Sequence, residues 1–137
     1  MFDELRGGIR RRPPSQVERR RGARSADDSD RREAAGLIAE LGAVGAGQQS
    51  LIELDTRVHR FVHRCSRNPY LAQDLDRYLN MSLRIWHLAV ERLPHLDDRV
   101  REHRVLLDAI LRGDAAAARA TAREHVLAFA SDIRAAL

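Results

Sequence analysis

The sequence predicts an all-α protein, an antiparallel bundle of about five to six helices in one chain of 137 residues. Three observations lead to this fold class. Aromatic residues make up only 4% of the chain while alanine and leucine dominate, a composition that favours helices over strands. Apolar residues recur every three to four positions through most of the chain, and no segment alternates with the period of a strand. The length suits a single domain that buries its own core.

The composition also excludes several classes of protein. No apolar run approaches the roughly 18 residues of a membrane helix, and the N-terminus has no apolar stretch typical of a signal peptide. The one cysteine, Cys65, cannot form an internal disulfide and is interpreted as a small apolar filler. We therefore expect a cytoplasmic protein rather than a membrane protein or a disulfide scaffold.

Residues 1–30 are predicted to form an arginine-rich, mobile N-terminal segment. Between Arg6 and Arg24 the chain has eight arginines, one acidic residue and very few apolar residues. Such a stretch cannot bury a face. It could bind phosphates or acidic partners, including DNA weakly and without base recognition, but a solvated tail is the favoured interpretation.

Residues 31–137 are predicted to form the helical domain. A short helix over Arg32–Ala46, with Ala35, Leu37, Ile38 and Leu41 as its apolar residues, ends among glycines. A second helix covers Leu51–Cys65 and is broken by Asn68 and Pro69. Proline suits the first turn of a helix, so a third helix is predicted from Tyr70 to about Arg92.

Capping residues define the last two predicted helices. Either Asp97 or Asp98 can cap the fourth helix, because a carboxylate accepts hydrogen bonds from the first backbone N–H groups. Gly113 is expected to stop that helix. Asp114 is expected to cap the last helix, which runs to the C-terminus.

Four polar residues fall on the apolar sides of these helices. Asp55 and His59 are four residues apart, so they share one face of the second helix. His103 precedes the apolar Leu106 and Leu107 by about one turn, and His125 lies on the last helix. Three helices thus offer one carboxylate and three imidazoles to a common interior.

This residue set has the chemistry of a metal site. Imidazole nitrogens and a carboxylate oxygen bind divalent ions such as zinc or nickel, and four ligands leave one or two positions for water or another carboxylate. The alternatives are that Asp55 merely satisfies a core His59 and that His103 pairs at the surface. His63 could join His59 in chelation, but a pH-sensitive surface residue is preferred.

Short segments of the chain resemble a known family. Leu54–His59 followed by Ser66–Pro69 resembles the signature D-x-x-F-H … S-G-N-P, and Arg101–Ile110 followed by Gly113–Asp114 resembles E-H-x-x-i-l-x-A-i-x-x-g-D. His125 and Val126 resemble the closing H-l. This order is typical of the FCD domain, the C-terminal effector domain of the FadR subfamily of GntR bacterial transcription regulators. The resemblance spans roughly residues 33–137.

The resemblance implies an all-helical ligand-binding bundle that dimerises. In the metal-binding branch, one aspartate and three histidines hold the ion, and they correspond to Asp55, His59, His103 and His125. Zinc is the foremost candidate, with nickel or manganese as alternatives. The effectors of this family are usually small organic acids, and Arg84 matches a position from which an arginine could clamp a carboxylate.

The chain departs from the family pattern at several positions. Arg67 stands where glycine is typical, and His63 stands where a small residue is usual. Nothing resembles the winged helix-turn-helix domain that precedes the bundle in these regulators, so DNA binding is expected only through that absent domain or weakly through the arginine-rich segment. Residues 7–30 match nothing in the family's first bundle helix.

We therefore interpret the chain as the effector-binding domain of a FadR-type regulator, binding a divalent metal and a small carboxylate. No nucleophilic triad is evident, and no enzymatic activity is expected. A small helical metalloenzyme, in which the ion activates water, is one alternative. A metal-free interaction bundle is the other.

Overall fold

The computed structural model describes residues 16–45, 47–93 and 95–137, with side chains from Asp28 onward, and every regular element in these ranges is helical. The predicted all-α class is therefore confirmed. The six helices and one 3₁₀ turn are α1 (Gln16–Ala43), α2 (Gln48–Cys65), α3 (Pro69–Ala89), the turn Val90–Arg92, α4 (Leu96–Arg101), α5 (His103–Leu111) and α6 (Ala115–Ala136).

The first helix is longer than the sequence predicts. It begins at Gln16 instead of Arg32 and ends at Ala43, three residues before the predicted end. Alanine, arginine and glutamate favour helices, and this propensity extends the helix toward the N-terminus without an apolar stripe. The boundary predicted at residue 30 thus lies inside α1, and residues 1–15 of the mobile segment predicted for residues 1–30 lie outside the described residues.

The buried face of α1 also differs by one position from the predicted face. Ala34, Leu37 and Leu41 are buried, while Ala35 is exposed and Ile38 is half-buried. The spacing of three and four between the buried residues is that of a single helix face. The stripe therefore follows Leu37 and Leu41, as predicted, and continues through Ala34.

The turn between α2 and α3 contains a residue in the left-handed conformation. Arg67 has a φ of 56°, the left-handed conformation that glycine adopts most easily. The side chain of Asn68 accepts hydrogen bonds from the backbone N–H groups of Tyr70 and Leu71, each with a donor–acceptor distance of 3.1 Å. Pro69 occupies the first turn of α3, as predicted.

The fourth predicted helix is two helices in the structure. α4 and α5 meet at Glu102, so His103 is the first residue of α5. The predicted cap at Asp97 or Asp98 is wrong, because both residues lie in the first turn of α4 and His95 precedes it with a φ of 59°. Carboxylates in a first turn still favour the helix through its dipole.

The last helix begins as predicted. Gly113 has a φ of 68° and ends α5, since it adopts the left-handed conformation without steric cost. The side chain of Asp114 accepts a hydrogen bond from the backbone N–H of Ala117 over 3.0 Å.

The core lies where α1, α2, α4 and α5 meet. α1 contacts α5 and α2, while α2 also contacts α3 and α4, and α6 lies against α5. The largest fully buried side chains come from these four helices: Phe61, Leu41, Leu51, Leu107, Val58 and Val100. Among the helices that the structure describes, none is long and apolar enough to cross a membrane.

Candidate metal centre

The four predicted ligands converge at one point inside the bundle. α2 supplies Asp55 and His59 from adjacent turns, α5 supplies His103 at its first residue, and α6 supplies His125. One ligand atom from each side chain lies within 4.8 Å of the others. Because 44 residues of chain separate His59 from His103, only the tertiary fold can bring these donors together.

The distances between donor atoms suit a common ion. His59 Nε2 lies 3.2 Å from His103 Nε2, and Asp55 Oδ1 lies 3.5 Å from His103 Nε2 and 3.7 Å from His59 Nε2. The rings of His103 and His125 have centroids 4.2 Å apart. Ligand atoms bound to one ion at about 2.1 Å are separated by about 3 to 4 Å, so the observed distances leave room for the ion.

A backbone carbonyl orients one of the imidazoles. His103 Nδ1 donates to the carbonyl oxygen of Val100 over 2.9 Å, which leaves Nε2 with its lone pair. That lone pair is close to the carboxylate oxygen of Asp55, so two acceptors face each other. A cation between them stabilises such an arrangement, and a hydrogen bond on the far ring nitrogen is typical of metal-bound histidines.

Burial sets the protonation of the four side chains. It raises the pKa of Asp55 to about 7, and it lowers the pKa of His59 to about 2 and of His103 to about 4. Burial also lowers the pKa of His125. The imidazoles are therefore neutral at neutral pH, the form that binds metals. A divalent ion would supply the positive charge that the buried carboxylate otherwise lacks.

An apolar cavity of about 320 Å³ lies beside the four residues, between α2, α3 and α6. Asp55, His59 and His125 form one wall, and His63, Tyr78, Ser82 and Arg99 add further polar groups. The remaining walls are apolar: Leu75, Leu79, Leu83, Trp86, Val126 and Phe129. A predominantly apolar cavity with a few convergent polar groups is typical of a small-molecule site.

A second cavity of about 330 Å³ opens on the other side of the four residues, between α5 and α6. His103 and His125 contribute to its wall, and Glu102 and Glu124 lie in the same wall. Both glutamates are exposed. The four residues therefore lie between an apolar cavity and a more polar one, and His125 borders both.

The predicted ligand-binding arginine lies away from this site. Arg84 is exposed on α3 and does not line the apolar cavity. Arg99 lines it instead, and its guanidinium contacts Asp132 at 2.8 Å and Glu102 at 3.3 Å. Arg99 precedes His103 by four residues, a spacing that could have indicated it. The role of Arg84 in binding a carboxylate stays a prediction.

Two further residues of the cavity were not assigned to the site by the preferred interpretation of the sequence. Trp86 is buried, and its indole Nε1 has no hydrogen-bond partner among the described residues. Its ring lies edge-on to Phe129, with centroids 5.7 Å apart. His63 is almost buried and bonded to Asp76, so the interpretation of His63 as a surface residue does not describe its position.

Comparison with known proteins adds one match. Residues 19–128 match the family model described as the FCD domain. No curated protein and no solved structure matches the chain. The match begins inside α1, so the prediction that residues 7–30 match nothing in the family is wrong for residues 19–30. The FCD domain is the effector-binding domain of GntR-family regulators. Since the match covers most of its length, this chain belongs to the FCD domain family.

Proposed function

We propose that this chain is the metal-dependent effector-binding domain of a FadR-type transcription regulator. The observation that carries the proposal is the convergence of Asp55, His59, His103 and His125, whose ligand atoms lie within 4.8 Å of one another. Burying a carboxylate and three imidazoles without a cation is costly, and a bound ion offsets that cost. Zinc is the first candidate, with nickel or manganese as alternatives.

The effector that we propose is a small organic carboxylate. Four protein ligands leave one or two positions on a divalent ion, and a carboxylate oxygen can occupy them. The apolar cavity of about 320 Å³ beside Asp55 and His59 would then hold the rest of the molecule. Binding would shift the population of bundle conformations, which is how an effector domain acts on a DNA-binding domain. We propose no enzymatic activity.

The metal is the first part of the proposal to test. The purified, tag-free chain is analysed for bound elements and melted before and after treatment with a chelator. About one divalent ion per chain and a lower melting temperature after chelation are expected. A chain without metal whose melting temperature is unchanged by added zinc, nickel or manganese would contradict the proposal.

A matched pair of histidine variants locates the ion. His103→Ala removes a buried ligand and should abolish stoichiometric metal binding, whereas His87→Ala removes an exposed histidine of α3 and should leave the metal content unchanged. Equal metal content in both variants would show that the ion is held elsewhere.

We also propose that the domain forms a homodimer through the outer face of α3. Four exposed apolar side chains follow each other at spacings of three and four: Tyr78, Met81, Ile85 and Leu88, which are 67%, 60%, 44% and 82% exposed. This spacing is that of a helix–helix seam. Arg77 and Glu91 flank the row at opposite ends, so antiparallel pairing of two copies would bring opposite charges together.

The dimer is tested by measuring molar mass in solution. Ile85→Glu places a charge in the row and should convert a dimer into a monomer. Val105→Glu is the control, because Val105 is an exposed apolar residue on α5, outside the row. A monomeric parent chain, or a dimer that survives Ile85→Glu, would contradict this proposal.

A further inference from the structure

The wall of the apolar cavity carries a histidine that is not one of the four candidate ligands. His63 follows His59 by one turn of α2, and the two ring centroids are 6.1 Å apart. Its side chain is only 11% exposed, and it lines the cavity together with Asp55 and His59.

A carboxylate on α3 holds the ring of His63 in one orientation. His63 Nδ1 lies 2.7 Å from Asp76 Oδ1, a short hydrogen bond in which the ring N–H donates to the carboxylate. The other ring nitrogen, Nε2, makes no hydrogen bond within the described part of the chain. With the single proton of the ring on Nδ1, Nε2 can accept a hydrogen bond from a bound molecule.

The rest of the cavity limits what that acceptor can meet. Six of the lining residues are apolar, the hydroxyl of Ser82 already donates to the carbonyl oxygen of Tyr78 at 3.0 Å, and Arg99 is paired with Asp132 and Glu102. Apart from the candidate ligands, this leaves His63, the Tyr78 hydroxyl and the Trp86 Nε1 as polar partners for a bound molecule. A ligand with many hydroxyl groups would leave most of them without partners, which disfavours a sugar acid. A ligand with an apolar body and one hydroxyl would bury its carbon chain and satisfy its only donor.

We infer that the effector is a 3-hydroxycarboxylic acid with an apolar remainder, and that His63 is the residue that recognises its hydroxyl. This inference rests on the proposed metal and carboxylate site. The carboxylate would bind the ion held by Asp55 and its three histidine partners. A hydroxyl on the second carbon lies close enough to the carboxylate to reach the same ion. A hydroxyl on the third carbon lies further from it, which suits His63, whose ring centroid is 6.1 Å from that of His59 in the same cavity. Asp76 acts as a positioning residue because it fixes the ring.

The test compares two acids that differ by a single hydroxyl. Titration calorimetry on the metal-loaded chain measures the affinity for hexanoate and for 3-hydroxyhexanoate. We expect roughly ten-fold tighter binding of the hydroxy acid, the effect of one satisfied hydrogen bond. His63→Ala should bind both acids equally and retain the metal, since His63 is not one of the four candidate ligands. Asp76→Ala should reduce the preference while retaining affinity for hexanoate.

The possible failures distinguish this inference from the proposed function. If both acids bind the parent chain equally, or if the preference survives in His63→Ala, the role of His63 is wrong and the carboxylate site stands. If neither acid binds the metal-loaded chain, the proposed carboxylate site and this inference both fall. His87→Ala serves as the control, because it removes an exposed histidine of α3 and should keep the full preference.

Discussion

The two faces of α2 place similar charged groups in opposite surroundings. Toward α1, Arg57 pairs with Glu40 and Arg64 pairs with Glu33, with side chains about half exposed in each pair. Toward the interior, Asp55 is 3% exposed and faces the partly buried His59. Water screens the first set, whereas apolar side chains and a mostly apolar cavity surround the second. The difference explains why the outer face needs no ligand and the inner face suits a cation.

A substitution in the interior site should change the free energy of unfolding most, and the sign of that change should depend on whether metal is bound. Asp55→Asn removes the charged ligand, so at a metal concentration 100 to 1,000 times the dissociation constant the loss of bound metal should cost about 3 to 4 kcal/mol of unfolding free energy. In the chelated chain the same change should be neutral or stabilising above pH 7, because burial raises the pKa of Asp55 to about 7 and an amide has no charge to bury.

Denaturant unfolding of parent and variant, each with metal and with chelator, measures this reversal. The buried charge and the proposed metal ligand are the same residue, so a variant that is destabilised equally in both conditions would show that Asp55 has a purely structural role. Glu53→Gln is the control, since Glu53 is exposed on the same helix and should change little in either condition.

A substitution in the turn that follows α2 should change the free energy of unfolding by less, and it should stabilise the chain. Arg67 holds a left-handed φ of 56°, so Arg67→Gly should raise the free energy of unfolding by about 0.5 to 1 kcal/mol. The change also removes the exposed pair between Arg67 and Asp30, which contributes little. A thermal melt of the variant should show a higher midpoint.

The control for this turn is a glycine inside the helix. Arg64→Gly lies in the last turn of α2, where a glycine loses more conformational entropy than arginine does, so this variant should melt at a lower temperature than the parent. A drop of the same size for Arg67→Gly would mean that the left-handed residue carries no strain.

The outer face of α2 should give the smallest change in stability. Arg57→Ala removes an ion pair with Glu40 whose side chains are 53% and 49% exposed, so the loss should be under about 1 kcal/mol and should shrink with added salt. A double-mutant cycle with Glu40→Ala measures the pair itself. A coupling energy as large as the loss of about 3 to 4 kcal/mol expected for Asp55→Asn would remove the contrast between the two faces.

Much of this architecture follows from local sequence. Leu51, Val58 and Phe61 repeat at helical spacing on α2, and Asn68, Gly113 and Asp114 end or begin helices through their own backbone and side-chain chemistry. The start of α1 and the break at Glu102 were not predicted, because helix propensity without an apolar stripe and a junction between two helices leave weak patterns.

The candidate ligands of the site could be predicted from the sequence, but the other residues of the cavity could not. The four candidate ligands stand out because charged and polar residues interrupt apolar stripes, and the structure brings all four together. The residues that complete the cavity did not stand out. Trp86 looks like any core aromatic in the sequence, and the partner of His63 lies on the next helix at Asp76, 13 residues away. Contacts between helices of this kind have no signature in local spacing.

Cys65 lies at the end of α2, partly buried against the hydrophobic core, and its thiol can be probed by alkylation. Burial, and to a smaller extent the nearby Asp30, raises the pKa of its thiol from 9.0 to about 11. The thiolate is the reactive form, so at pH 8 alkylation should be roughly 100-fold slower than for an unperturbed thiol. The rate should rise about tenfold per pH unit up to about pH 11. Alkylation as fast as that of a short cysteine peptide would show that this end of α2 is open to solvent. The contrast between the exposed outer face and the buried inner face of α2 would then not extend to the end of the helix.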